Sequence, residues 1–165
     1  MNTYWHLTNT GFSMLLHNAR VGKGWVLSVD RMAEGMPEAT TPYAHLNSQP
    51  DKEAVWENVR QQIGPEKLPT RLKCFYAFLS IEDAKMAHAK WGMEERTLVE
   101  VRPASDARVH VADATLLNAL PESWATNAAS YWRGECTPEP LMEVLISGAL
   151  YFPGWEHPPF PDLPR

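Results

Sequence analysis

The sequence predicts an α+β domain built on a split or bent, mostly antiparallel sheet with helices inserted among its strands. Three observations point there. Short runs rich in aromatic and β-branched residues recur along the chain. The clearest is RTLVEVRP at 96–103, where Val99 and Val101 alternate with Leu98, Glu100 and Arg102. Between these runs lie stretches with helical spacing and their own start and stop signals. The chain has 165 residues, 44% hydrophobic and 21% charged, with seven Trp, five Tyr and five Phe, which suits one ordinary domain with a sizeable core.

Taken in order, NTYWHL at 2–7 reads as the first strand. GFSMLLHNAR at 11–20 reads as a short helix with Met14, Leu15 and Ala19 on one face, and GWVLSVD at 24–30 as a strand. Residues 31–50 form a long loop of turn residues, a length that marks a functional or mobile segment. Residues 51–69 give a well-punctuated amphipathic helix. Val55, Val59 and Ile63 recur every four residues, acids sit early, and Gly64-Pro65 close it. RLKCFYAFLS at 71–80 is a strand dense in aromatics. It runs into a helix with Ser80 as N-cap, Asp83 three residues on, and Gly92 as the stop. RVHVAD at 108–113 is another strand, residues 114–134 are helical in two pieces broken near Pro121, and PLMEVLISG at 140–148 is the last of six strands. The single domain then spans 1–150. A tail at 151–165, containing five of the fourteen prolines, is expected to lie extended on it.

Several classes of function are excluded or disfavoured. A net charge of −5 gives no global basic footprint for nucleic acid. No apolar run approaches the ~18 residues of a membrane span, and the N-terminus lacks a signal-peptide pattern. Two cysteines, Cys74 and Cys136, without CxxC spacing make a reducing, cytoplasmic setting the default. The six histidines show no HxH, HxxxH or HExxH spacing, so no metal site is expected, and the glycine-rich phosphate loops and GxSxG are absent. Cys74 sits mid-strand beside Phe75 and reads as an inert core thiol.

Three polar anchors on apolar strands remain: His6 in YWHLTN, Tyr76 in CFYAFLSIEDA and Glu143 in MEVLISG. Each has a bland reading, as a structural or exposed strand histidine, a core tyrosine and a water-facing glutamate. A carboxylate on an apolar strand is costly unless it is paired or used.

The order of these anchors resembles the His–Tyr–Glu branch of the ADP-ribosyltransferase superfamily. TYWHLTN is similar to that branch's YH-hydrophobic-T strand, with Trp5 where Tyr is more usual. CFYAFLSIEDA is similar to its aromatic strand that runs into a Ser-capped helix, with Ala84 eight residues after Tyr76. MEVLISGAL looks like the Glu-bearing strand of DNA-directed members. The likeness spans residues 4 to about 150 and extends to small bacterial and phage ADP-ribosyltransferases, including an anti-CRISPR group.

The resemblance implies NAD as co-substrate and transfer of one ADP-ribose to a macromolecular acceptor, as in a toxin or phage effector. It implies that His6 holds the ribose of the adenosine half, Tyr76 stacks on nicotinamide, and Glu143 binds the other ribose and stabilises an oxocarbenium-like transition state. Thr8 and Asn9, which follow His6, are candidates for a further cofactor contact and equally readable as a plain turn, and Arg20 and Arg71 are candidates for the pyrophosphate, each also readable as a surface charge. Asp113 is favoured as a helix N-cap. Leu141 stands where the arginine-modifying branch has the first Glu of ExE, which argues against an arginine acceptor. The acidic charge favours a protein or small molecule over duplex DNA, with single-stranded DNA in reach of a local basic patch. Two other readings stand beside this one. A degenerate member of the fold would bind a partner without catalysis, with His6, Tyr76 and Glu143 separated or the cleft filled by Trp155 and Phe160. The third reading is an RNA phosphotransferase or NAD glycohydrolase of related fold; the phosphotransferase would want several arginines in the cleft, and Arg20, Arg71 and Arg133 are the ones placed to serve. Oligomeric state is left open.

Overall fold

A computed structural model describes residues 2–11, 13–41, 43–44, 49–92 and 95–157. It is an α+β structure whose described residues form seven strands in one antiparallel sheet with five α-helices. The strands are β1 (Tyr4–Asn9), β2 (Trp25–Leu27), β3 (Phe75–Phe78), β4 (Arg96–Pro103), β5 (Arg108–Asp113), β6 (Met142–Ser147) and β7 (Ala149–Tyr151). The helices are α1 (Met14–Val21), α2 (Val29–Met32), α3 (Pro50–Ile63), α4 (Ile81–Trp91) and α5 (Trp124–Arg133). Two short 3-10 turns, Ala114–Leu117 and Pro121–Ser123, precede α5. The sheet order is β2-β7-β4-β1-β3-β6-β5.

Two features shape the sheet. First, β1 and β3 share one register pair, Trp5 with Phe78, whereas β1 and β4 pair over six residues from Tyr4 with Val101 to Asn9 with Arg96. The sheet is therefore split between β1 and β3. Second, β6 and β7 are separated only by Gly148, yet β6 pairs with β3 and β5 while β7 pairs with β2 and β4. One strand thus bends from one part of the sheet to the other, as at the corner of an orthogonal packing. Gly148 is required there. Its φ is 145°, and a Cβ would lie 2.8 Å from the Ala107 Cβ and 2.9 Å from its Cα.

Strand β6 is buried on both faces. Val144 and Ile146 join Tyr4, Leu16, Val101, Leu150 and Phe152 in one core, while Leu145 joins Trp56, Tyr131 and Trp132 in a second, beneath α3 and α5. A third cluster seats α4, through Ala84 and Ala87, on Phe78, Ala114 and Leu141.

Several elements differ from the sequence reading. The second strand stops at Leu27, because Ser28 turns the chain into α2. The third begins at Phe75, because Arg71–Lys73 form a turn closed by the Lys73 and Cys74 amides donating to the Thr70 carbonyl. A seventh strand, β7, follows the bend at Gly148. Helix α1 buries Leu16 and Ala19 and leaves Met14 exposed. Helix α3 buries Glu53, Trp56 and Arg60 rather than the Val55–Val59–Ile63 stripe; Ile63 is exposed and the valines are half-buried. The reason is electrostatic: Glu53 and Arg60 each have a partner that makes burial tolerable, and Trp56 brings the larger apolar area. Helix α4 matches its punctuation, with Ser80 Oγ accepting from the Asp83 amide at 3.0 Å and Gly92 left-handed. Of the tail, Phe152 is fully buried and Trp155 packs on the first core, whereas residues 158–165 and Phe160 lie outside the described residues.

Candidate active site

A cavity of about 420 Å³ opens at the split between β1 and β3. His6 and Leu7 line it from β1, Tyr76, Ala77 and Phe78 from β3, and Glu143 from β6. Arg71, Tyr43, Lys52, Trp91 and Asn118 complete its polar and aromatic wall. The three anchors His6, Tyr76 and Glu143 therefore face one space, although they lie far apart in sequence.

His6 bridges the split. Its Nδ1 is 2.7 Å from the Tyr76 carbonyl, which can only accept, so Nδ1 carries the proton. Burial lowers the His6 pKa to about 4, outweighing that hydrogen bond, with Arg96 adding to the fall. The ring is neutral at pH 7, and Nε2 is left as an acceptor.

Glu143 is only 5% exposed and lies on the face of β6 that meets α3 and α5, not on a wet face. Its Oε1 accepts from Arg71 Nη1 at 2.7 Å and from the Tyr131 hydroxyl at 2.5 Å. Among the described residues nothing donates to Oε2.

Arg71 is the hub. Its Nε donates to Glu53 at 3.2 Å, its Nη1 also reaches the Tyr131 hydroxyl at 2.6 Å, and its Nη2 reaches the Tyr43 hydroxyl at 3.2 Å. Its Cζ lies 5.2–5.5 Å from the rings of Tyr43, Tyr76 and Tyr131. Burial works against its charge, but Tyr131, Tyr76, Glu143 and Glu53 together hold its pKa well above the ordinary value. Burial pushes the hydroxyls of Tyr76 and Tyr131 well up and that of Tyr43 to about 12, with Arg71 opposing in each case. All three are therefore neutral donors at pH 7. One guanidinium thus lies at salt-bridge distance from two carboxyl groups.

The sequence-predicted candidates do not all meet in one place. His6, Tyr76, Glu143 and Arg71 line the cavity. Arg71 is 3% exposed and committed to carboxylates, which differs from both a surface charge and a free pyrophosphate ligand. Thr8 and Arg20 are not among the lining residues: Thr8 shares a 2.6 Å hydrogen bond with Ser13, and Arg20 stacks on Trp155 at 4.4 Å. Asp113 caps the 3-10 turn through the Thr115 amide, as its position suggested. Arg133 is exposed at the end of α5, and Trp155 lies outside the cavity wall.

Sequence reasoning missed Glu53, Tyr131, Tyr43 and Lys52. Only Glu53 left a trace, since it lies three and seven residues before Trp56 and Arg60 on one helical face. Tyr131 carries no local signal; its role exists only once α5 packs on β6.

Among the described residues no three His, Cys, Asp or Glu side chains cluster as a metal site, and no helix is long and apolar enough to cross a membrane. No curated protein matches the chain. Residues 30–152, a span from α2 through β7 that includes Arg71, Tyr76 and Glu143 but not His6, match the family described as "Protein of unknown function (DUF2441)". With well over half its length covered, the chain belongs to that family.

Proposed function

We propose that the chain is an NAD-dependent mono-ADP-ribosyltransferase with an ADP-ribosyltransferase-like fold and that the cavity at the β1–β3 split binds NAD. The observation that carries this reading is the meeting of His6, Tyr76 and Glu143 in one cavity. The cavity's chemistry is suitable. Neutral His6 offers Nε2 to a ribose hydroxyl, and Phe78, Trp91 and Tyr76 supply flat apolar walls for a ring. The Glu143 carboxyl group on the cavity wall suits a ligand that develops positive charge at its ribose.

In the reaction, the C–N bond between ribose and nicotinamide breaks and its electron pair leaves with nicotinamide. An acceptor oxygen or nitrogen bonds to the ribose carbon and gives up its proton. Glu143, held by Arg71 and Tyr131, presents Oε2 to the ribose and then to the acceptor proton. Mounted on a strand buried on both faces, it is rigidly placed. The acceptor is a macromolecule, with protein ahead of single-stranded DNA, in a toxin or phage-effector setting.

The alternative is a non-catalytic interaction module of the same fold. The observation favouring it is the salt bridge itself, since the Arg71–Glu143–Glu53 group is also what a purely structural buried network looks like. Nicotinamide release from NAD, with NAD binding measured in the same samples, separates the two. The transferase reading expects binding in the wild type and release that collapses in Glu143→Ala and Glu143→Gln. Neither binding nor release would leave the interaction module.

A further inference from the structure

We infer that Lys52, on the first turn of α3, is the anion contact of the cavity and receives a phosphate of the bound ligand. The inference deepens the NAD reading and rests on it.

The sequence offered Arg20 and Arg71 for the pyrophosphate, and the structure engages both elsewhere. Arg20 lies over Trp155, and Arg71 divides its donors among Glu53, Glu143, Tyr131 and Tyr43. Among the described residues, Lys52 is the one cation on the cavity wall without a carboxylate at salt-bridge distance.

Lys52 is half-buried, and among the described residues its ammonium makes one hydrogen bond, to the Leu117 carbonyl at 3.3 Å. An ammonium has three donors, so two have no partner among the described residues. The Leu117 contact holds it one residue from Asn118, which also lines the cavity. Burial lowers the Lys52 pKa, with Glu53 opposing and Arg71 adding, so an arriving anion relieves a cost the free protein carries. The cavity then has two chemically distinct parts. Acceptors at His6 Nε2 and Glu143 Oε2 suit hydroxyls and a developing cation, and Lys52 suits phosphate.

The test is calorimetric titration of the full chain with ADP-ribose, comparing wild type, Lys52→Met and Lys52→Arg across ionic strength, with a thermal melt of each. Lys52→Gln serves in place of Met if the melt shows a loosened fold. Loss of the cation is expected to weaken ADP-ribose binding about tenfold or more and to flatten its salt dependence, with Arg restoring both. Binding by Lys52→Met at wild-type strength and salt dependence would overturn the inference alone. A wild-type chain that does not bind ADP-ribose would overturn it together with the NAD reading.

Discussion

Glu143 and Asp113 are buried carboxylates on neighbouring strands, one register step apart: Glu143 pairs with Ala112, and Asp113 with Met142. Their surroundings differ in kind. Asp113 accepts from the amides of Thr115, Thr137 and Leu141 and from the Thr137 hydroxyl, at 2.6–3.0 Å, so both its oxygens are used. Burial alone would raise its pKa, but these four donors hold it below the ordinary value. It ties the 3-10 turn and the segment before β6 to the end of β5. Glu143 instead draws on side chains from distant parts of the chain, takes both hydrogen bonds on one oxygen, lines the cavity, and has no donor to its other oxygen among the described residues. Burial and pairing do not by themselves mark a functional carboxylate. What separates the two is that Glu143 lines a cavity and keeps one oxygen without a donor among the described residues, whereas both oxygens of Asp113 are used.

The comparison can be broken most forcefully at Arg71. Arg71→Met removes the cation from two buried carboxylates and is expected to cost about 3–5 kcal/mol of stability, read by denaturant unfolding. A loss well below that would mean that Glu53 and Glu143 relax to solvent and that the network is weaker than its geometry. Asp113→Asn keeps the shape but replaces one acceptor oxygen with an amide that cannot accept. It is expected to cost about 2 kcal/mol and to leave NAD binding unchanged, which calorimetric titration with NAD checks. Weakened NAD binding in a folded Asp113→Asn chain would erase the distinction between the two carboxylates.

A smaller effect is read from pH. The His6 pKa falls from 6.5 unfolded to about 4 folded, so between these values the unfolded chain binds more protons. Its contribution is full above pH 6.5 and is lost as pH falls toward 4. Asp113 has the opposite charge but the same sense: its lowered pKa gives stability that is present above 3.8 and lost on further acidification. His6→Gln should flatten the upper window and Asp113→Asn the lower one, measured as melting temperature against pH.

The comparison also explains what the sequence could and could not reveal. Helix α4 was legible because its signals are local, with Ser80 and Gly92 doing what their backbone chemistry favours. So was Asp113, whose first partner is two residues away. Glu143 was visible only as an anomaly, a charge on an apolar strand. Its partners lie 12 and 72 residues away, and neither spacing carries a signal in one dimension. Helix α3 misled for a related reason. Its valine stripe gives a sound amphipathic pattern, but tertiary ion pairs at Glu53 and Arg60 turned another face inward. The split between β1 and β3 and the bend at Gly148 are likewise properties of pairing between strands.

The most direct measurement is nicotinamide release from NAD by wild type, Glu143→Gln and Asp113→Asn side by side, at a temperature where all three are folded. The account predicts release by the wild type, a fall of about a hundredfold or more in Glu143→Gln, and release close to wild type in Asp113→Asn. Release by Glu143→Gln at the wild-type rate would contradict it, as would a wild type that neither binds NAD nor releases nicotinamide.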